Sequence, residues 1–501
     1  MKIKAYLIIT TLMLTAWTGM SGQPADSLTS VRMAKARETV QAVASDPVFS
    51  QALMSVCVMT GSGEIIADFN SQAMLVPASN MKLLTTGAAI HTLGKGHRFE
   101  TKIGYRGKVH DGVLTGDLYI LGGGDPTIAS KDSIATPLEQ TFNQWHSLLA
   151  KAGIRKIDGH IIGDGRWFEG MPEEESWVWN DIGTYYGAGA TGLMFYENMQ
   201  SFEVSAGCAP GEPVNIRPGY PETPWMEFRY DCTTGEKGTG DRLYMYTSDL
   251  APVAEIRGTF GVDRAAKRVD CSNKFPEYTC ASYFTEWLKN KGIQCTQGVS
   301  DTRMNKEKAD GDITVTGTTL SPELSRIAYE TNHASNNLYA ETLLRTLGKE
   351  FNTTGCYDSS YVALKNILKD LGVDMSRGIN IQDGSGLSRQ NLVSPDFFCR
   401  FLQAMMKSPE FEAFAESLPS PGGNGTLQYN MKNHPAAVKN RIKAKSGSMS
   451  GVRCYSGYII PTEGCRDETL IFSIMLNNCT EPTWKVRPLL DKIMGILAEA
   501  N

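Results

Sequence analysis

The sequence predicts an α+β fold: an antiparallel sheet flanked by helices, interrupted by inserted β-rich domains. Three observations predict it. Near the C-terminus, Ile442 to Lys445, Cys454 to Ile460 and Leu470 to Leu476 read as neighbouring strands, and an amphipathic helix from Pro482 to Ala500 follows them. Helical spacing dominates from Leu320 to Met406, whereas from about Phe99 short strand-like runs alternate with glycine turns. At 501 residues the chain exceeds what one hydrophobic core usually supports. The expected division is a leader over 1–22, a discontinuous helix-flanked unit over 23–97 and 313–501, and an insertion over 98–312. A third module is expected to be nested within about 200–275.

The elements follow in order. Lys2 and Lys4 precede an apolar run from Ala5 to Trp17, then the small residues Gly19, Ser21 and Gly22. This is the layout of a secretory signal peptide, so the chain is expected to be exported across the inner membrane to the periplasm; an uncleaved anchor is the alternative. Ser30 to Val48 has helical spacing. Leu53 to Met59 and Glu64 to Phe69 form a hairpin about Gly61-Ser62-Gly63. Leu83 to Leu93 is apolar, free of proline and stopped by Gly94, a helix with Ser79 in its first turn.

Lys102 to Tyr105 and Val113 to Ile120 are strands. Gly122-Gly123-Gly124-Asp125-Pro126 lacks the GK[ST] ending of a phosphate loop and reads as a turn. The aromatic residues between Ile154 and Asn198 read as packing of a mostly β domain rather than a sugar platform. Ser321-Pro322 starts a helix with Leu324, Ile327 and Ala328 on its apolar face. A polar break at Asn332 to Asn337 precedes further helices at Leu338–Leu347, Tyr361–Leu371 and Pro395–Met406, with a glycine-rich loop at Asp383 to Arg389.

Composition narrows the function. Apolar content of 41% and charged content of 21% are ordinary for a globular protein, and a net charge of -5 argues against a nucleic-acid partner. Seven histidines and no HExxH argue against a catalytic zinc site, and nothing calls for a cofactor. Export permits disulfides among the eleven cysteines; Cys271 with Cys280, or Cys208 with Cys232, are close enough in sequence to pair.

The chemistry rests on three short motifs. Ser79 and Lys82 lie three apart and share a helical face, where a lysine without its charge could take the serine proton. Alone, that pair reads as a capping serine and a surface lysine. It is followed in order by Ser335-Asn336-Asn337 and Lys445-Ser446-Gly447, and no second S-x-x-K or K-[ST]-G occurs. Together these are the S-x-x-K, S-x-N and K-[ST]-G set of penicillin-binding proteins and class A β-lactamases. The 256 residues from Ser79 to Ser335 are more than a compact β-lactamase needs, and the excess coincides with the β-rich texture.

The chain resembles the class C low-molecular-weight penicillin-binding proteins, the D-alanyl-D-alanine carboxypeptidases and endopeptidases of peptidase family S13. The resemblance spans almost the whole mature chain. It includes Gly116-Asp117-Leu118-Tyr119, Gly124-Asp125-Pro126, Trp177-Val178-Trp179-Asn180-Asp181, Tyr186-Gly187-Ala188, Asp383 to Arg389 and Gly425-Thr426-Leu427. Two motif residues depart from the common pattern, Asn336 for Asp and Ser446 for Thr, and both keep the expected functional groups.

The resemblance implies a β-lactamase/transpeptidase-like domain carrying nested insertions, peptidoglycan stem peptides as substrate and β-lactams as covalent inhibitors. It implies Ser79 as nucleophile, Lys82 as base, Ser335 as proton shuttle and Asn337 as orienting residue. Lys445 would draw in the substrate carboxylate and, by its positive charge, favour proton loss from Lys82. Ser446, Gly447 and Ser448 would bind substrate, with the N–H groups of Ser79 and Ser448 as oxyanion hole. Arg389 is a candidate second anion contact, His333 reads as local structure, and Asp383 reads as a turn residue. The competing readings are a β-lactamase, or a non-catalytic wall-binding protein of the same fold.

Overall fold

A computed structural model describes residues 25–305, 311–351 and 353–501; the leader expected over 1–22 lies outside the described residues. Along the chain, α1 (Ala25–Ala44) precedes β1 (Leu53–Thr60), β2 (Ile65–Phe69) and α2 (Met81–Leu93). The inserted region then supplies β3 (Glu100–His110), β4 (Val113–Leu121), α3 (Leu138–Lys151), β5 (Lys156–Asp158), β6 (Ile161–Asp164) and α4 (Trp179–Ile182). It continues through β7 (Met199–Ser205), β8 (Asn215–Pro218), β9 (Glu227–Gly235), β10 (Asp241–Thr247), β11 (Val253–Gly261) and β12 (Lys267–Ser272). It closes with α5 (Pro276–Asn290), β13 (Gln294–Cys295), β14 (Val299–Asp301) and β15 (Thr314–Leu320).

The chain then returns through α6 (Leu324–His333), α7 (Asn337–Glu350), α8 (Tyr357–Asp370), the short pair β16 (Ile379–Asn380) and β17 (Leu392–Val393), and α9 (Pro395–Met405). It ends with α10 (Phe411–Glu416), α11 (Ala436–Lys439), β18 (Ile442–Met449), β19 (Val452–Ile459), β20 (Leu470–Asn477) and α12 (Thr483–Ala500).

The central sheet runs β18-β19-β20-β1-β2, antiparallel throughout, so the N-terminal hairpin completes the three C-terminal strands. Its middle strands bury both faces, which explains their nearly unbroken apolar sequence. Val56 and Val58 of β1, with Phe472 and Ile474 of β20, face a core shared with Val40 of α1 and Leu490 and Met494 of α12. Cys57, Met59, Ile471 and Met475 point the other way, toward Leu84 of α2, Leu343 of α7 and Phe398 of α9. The sheet is thus held between two helical layers, and α2 is embedded in the larger one.

The insertion builds three further sheets. One runs β13-β5-β4-β3-β15 with β6 and β14 alongside; β12-β7-β8 and β10-β11-β9 form a smaller module. One expected boundary is corrected, and neither of the cysteine pairings that the sequence left open forms. Thr314 to Leu320 pairs with Glu100 to Tyr105 and so belongs to the inserted sheet, not to the helix-flanked unit that was expected to resume at 313. All eleven cysteines are free thiols. Cys271 lies in the core of the small module while Cys280 lies on α5 in the core of the larger inserted sheet, so neighbours in sequence serve different cores. Cys208 is exposed, whereas Cys232 is buried and donates to the Ile256 carbonyl at 3.0 Å.

Candidate active site

Ser79 sits in a single 3-10 turn, Ala78–Asn80, that feeds directly into α2. The turn is anchored from below: Asn80 Nδ2 donates to Ser456 Oγ on β19 at 2.7 Å, and Ser456 contacts Ser473 Oγ on β20 at 2.8 Å. Ala78 is held in the left-handed region at φ 46°. Against it lies the loop between β16 and β17, where Gly386 has φ 85° and approaches so closely that a Cβ would stand 1.8 Å from the Ala78 carbonyl. Only glycine fits that contact.

At the second position of α2, Lys82 is wholly buried. Its ammonium donates to Ser79 Oγ at 3.1 Å, to Asn337 Oδ1 at 2.6 Å and to the Ser385 carbonyl at 2.8 Å. The Asn337 amide is fixed from its other end, where Nδ2 donates to the Tyr186 carbonyl of the inserted region at 2.8 Å. The break between α6 and α7 turns on Ser335, left-handed at φ 57°. Its hydroxyl accepts from Lys445 Nζ at 3.0 Å. Lys445 is also wholly buried; it lies on β18 opposite Ser456 and donates to the Ser446 carbonyl at 2.8 Å. One helix start, one interhelical break and one strand thus meet along the chain of contacts Ser79–Lys82–Asn337 and Ser335–Lys445.

Burial governs the charges. The Lys82 amine is lowered from 10.5 to about 7, chiefly by desolvation, against the pull of Asp383 and Glu341. Burial, rather than the neighbouring positive charge expected from the sequence, is the leading cause. Lys445 is lowered well below the ordinary lysine value, first by burial and then by Lys82. Beneath them Glu341, four residues after Asn337 on α7, accepts the N–H groups of Gly384 and Ser385 at 3.0 and 2.8 Å. Burial, then Asp383, pushes it up to about 8. The cleft above encloses about 600 Å³ and is lined by Ser79, Ser335, Asn337, Arg389, Ser448 and Glu197, among others.

A family model, the D-Ala-D-Ala carboxypeptidase 3 (S13) family, matches residues 36–495. The chain belongs to that family. It is 30% identical over 496 residues to a D-alanyl-D-alanine carboxypeptidase of Actinomadura sp. strain R39, covering 95% of this chain and 87% of the relative. It is 26% identical to D-alanyl-D-alanine carboxypeptidase DacB of Haemophilus influenzae, covering 80% and 81%. The crystal structure of penicillin binding protein 4 (dacB) from H. influenzae superposes with a TM-score of 0.77 at 22% identity, covering 93% of this chain and 98% of the other, so the β-lactamase-like α+β fold is shared. The activity class is therefore that of a serine-type D-Ala-D-Ala carboxypeptidase.

Within this S13 fold the structure brings together Ser79, Lys82, Ser335, Asn337 and Lys445, and places Ser446, Gly447 and Ser448 on the strand beside Ser79. Arg389 is exposed at the cleft edge and donates to the Ser450 carbonyl at 3.2 Å. His333 stacks on Tyr329 with ring centroids 3.7 Å apart, and its Nδ1 lies 3.2 Å from the Asn424 carbonyl. Asp383 is a turn residue: its oxygens accept from Gly386 N, Ser388 N, Asn391 Nδ2 and Trp177 Nε1. The aromatic run divides, with Trp177 buried on Asp383 while Trp179 and Tyr185 stay exposed. The groups missed from the sequence are the Ser385 and Tyr186 carbonyls, Glu341 and Glu197. The first two lie in stretches that carried the family resemblance, and Glu341 shares the helical face of Asn337.

Proposed function

We propose that the chain hydrolyses the terminal D-Ala-D-Ala bond of peptidoglycan stem peptides through an acyl-enzyme on Ser79. The observation that carries this is the Ser79–Lys82 hydrogen bond of 3.1 Å to an amine whose proton affinity burial has brought to about 7. The Ser79 oxygen bonds to the penultimate D-Ala carbonyl carbon as its proton passes to Lys82. The N–H groups of Ser79 and Ser448 face the developing oxyanion, donors typically worth about 3 kcal/mol in the transition state.

The C–N bond then breaks, and Ser335 carries a proton to the leaving D-Ala amine. Water attacks the ester carbonyl as its proton passes to Lys82, the bond from the acyl carbon to Ser79 Oγ breaks, and Lys82 returns the proton to Oγ, which frees Ser79. Lys445 and Ser446 receive the substrate carboxylate. The same steps on a cross-link, with a second stem peptide as the leaving amine, make the chain a DD-endopeptidase as well.

β-Lactams would acylate Ser79 because their strained amide mimics the same bond; penicillin binding protein 4 of H. influenzae has been solved complexed with a β-lactam. The reading extends to a periplasmic location, supported by the basic and apolar N-terminus and by a substrate that lies in the cell wall. The experiment is intact mass after exposure to benzylpenicillin. Wild type gains one penicilloyl adduct and Ser79→Ala gains none, and wild type releases D-alanine from a diacetylated tripeptide ending in D-Ala-D-Ala. An adduct on Ser79→Ala, or none on wild type, sinks the assignment.

A further inference from the structure

The break before α7 carries a contact that the reaction does not use. Asn336 Oδ1 caps α7 by accepting from Tyr339 N at 3.1 Å, while its Nδ2 donates to Glu197 Oε2 at 2.8 Å. Glu197 comes from the inserted region, is 6% exposed and lines the cleft. Its other oxygen accepts the Ser130 hydroxyl at 2.9 Å, and Ser130 accepts from the Tyr339 hydroxyl at 3.0 Å. Glu197 also sits at the centre of three successive left-handed non-glycine residues, Tyr196, Glu197 and Asn198, with φ of 52°, 54° and 50°. Such residues persist only where their surroundings over-determine them, and they gather at functional sites. Ser335, next to Asn336, is left-handed too. Two strained turns, one from each unit, are therefore joined by one hydrogen bond at the cleft.

We propose that Glu197 is a positioning residue: by holding the Asn336 amide it fixes the Ser335 turn and so directs the Ser335 hydroxyl to Lys445, and it is the reason the middle motif residue is Asn rather than Asp. This rests on the reading of Ser335 as proton carrier. An Asp at 336 would cap α7 equally well, but it would set a carboxylate oxygen where Nδ2 stands, 2.8 Å from Glu197. The surroundings would not absorb that charge. Asp132 and Glu330 repel it, Lys131 attracts it but is shared with Asp270, Tyr339 is already bonded to Ser130, and Arg268 is held by Tyr196 and Asp270. Burial and then Asp132 already hold Glu197 above the usual carboxylate range.

The test is the second-order rate of acylation of the full chain by a chromogenic cephalosporin, measured across pH. Asn336→Asp should be slowed at least about tenfold at neutral pH, and should recover toward wild type measured at the same pH as acid lets the two carboxyls share a proton. Glu197→Gln added to Asn336→Asp should restore the rate, since the Gln amide donates where Asn336 did. Wild-type rates for Asn336→Asp at every pH, or a double variant no faster than the single one, overturn the proposal. If Asn336→Asp does not fold, Glu197→Ala and Glu197→Gln decide: the alanine should be about tenfold slower and the glutamine near wild type, and equal rates overturn it. Wild type lacking the Ser79 adduct would instead remove the underlying reaction.

Discussion

Lys82 shows how a single residue is tuned by its burial. In the proposed reaction its free amine is the base, so second-order acylation by a β-lactam should rise with pH through a midpoint of about 7 as the ammonium loses its proton. This rate reports the free enzyme, in which the amine already touches Ser79. Lys82→Arg should lower the rate by about 10²–10⁴, because a guanidinium keeps its proton throughout this range. A rate independent of pH between mild acid and mild alkali would exclude Lys82 as the group that titrates. Ser79 and Lys82 were legible in the sequence because the turn that carries Ser79 runs straight into the helix that carries Lys82, and their spacing fixes their contact. Glu197 and the Ser385 carbonyl were not, because each reaches the site from a distant segment and no local period marks it.

At the scale of elements, the site depends on β18 lying hard against the turn that carries Ser79. Gly447 is the point of closest approach: a Cβ there would stand 2.4 Å from the Pro77 carbonyl and 3.1 Å from Asn80 N. Both are backbone atoms, so the strand or the turn must move. Gly447→Ala should therefore cut acylation by about 10² or more, since misplacement by an ångström is enough for that loss. The fold should survive, because β18 keeps its ladder to β19 from Ile442 to Met449. The check is acylation rate beside the thermal midpoint; unchanged acylation would mean that the strand does not set the cleft width. The strands and helices were legible from periods of 2 and 3.6, and the helix-flanked unit with them. The pairing of Thr314 to Leu320 with β3 was not, because its partner lies more than two hundred residues away and its own pattern, exposed or half-buried throughout, gives no apolar alternation.

In the molecule as a whole, the insertion is part of the active site's support. Trp177 Nε1 donates to Asp383 Oδ2 at 3.0 Å, the Tyr186 carbonyl holds Asn337 at 2.8 Å, and Glu197 holds Asn336 at 2.8 Å. The deepest tie is Arg345 of α7, 1% exposed. Its guanidinium donates to the Gly355 carbonyl at 2.8 Å and, across the junction, to the carbonyls of Ala190 at 2.6 Å, Met171 at 3.2 Å and Glu169 at 2.5 Å. It lies 5.0 Å from the ring of Phe168 on one side and 5.2 Å from that of Tyr357 on the other. Removing it by Arg345→Met would leave the buried Ala190 and Gly355 carbonyls without this donor, at about 1–3 kcal/mol each, and would cut its bonds to the Met171 and Glu169 carbonyls. Wild type should then unfold in one calorimetric transition, while Arg345→Met should show two, the inserted unit separating from the helix-flanked unit. Acylation by penicillin should fall with the loss of support to Asn336 and Asn337. A single transition at the wild-type temperature would mean that Arg345 satisfies its neighbours without coupling the two units.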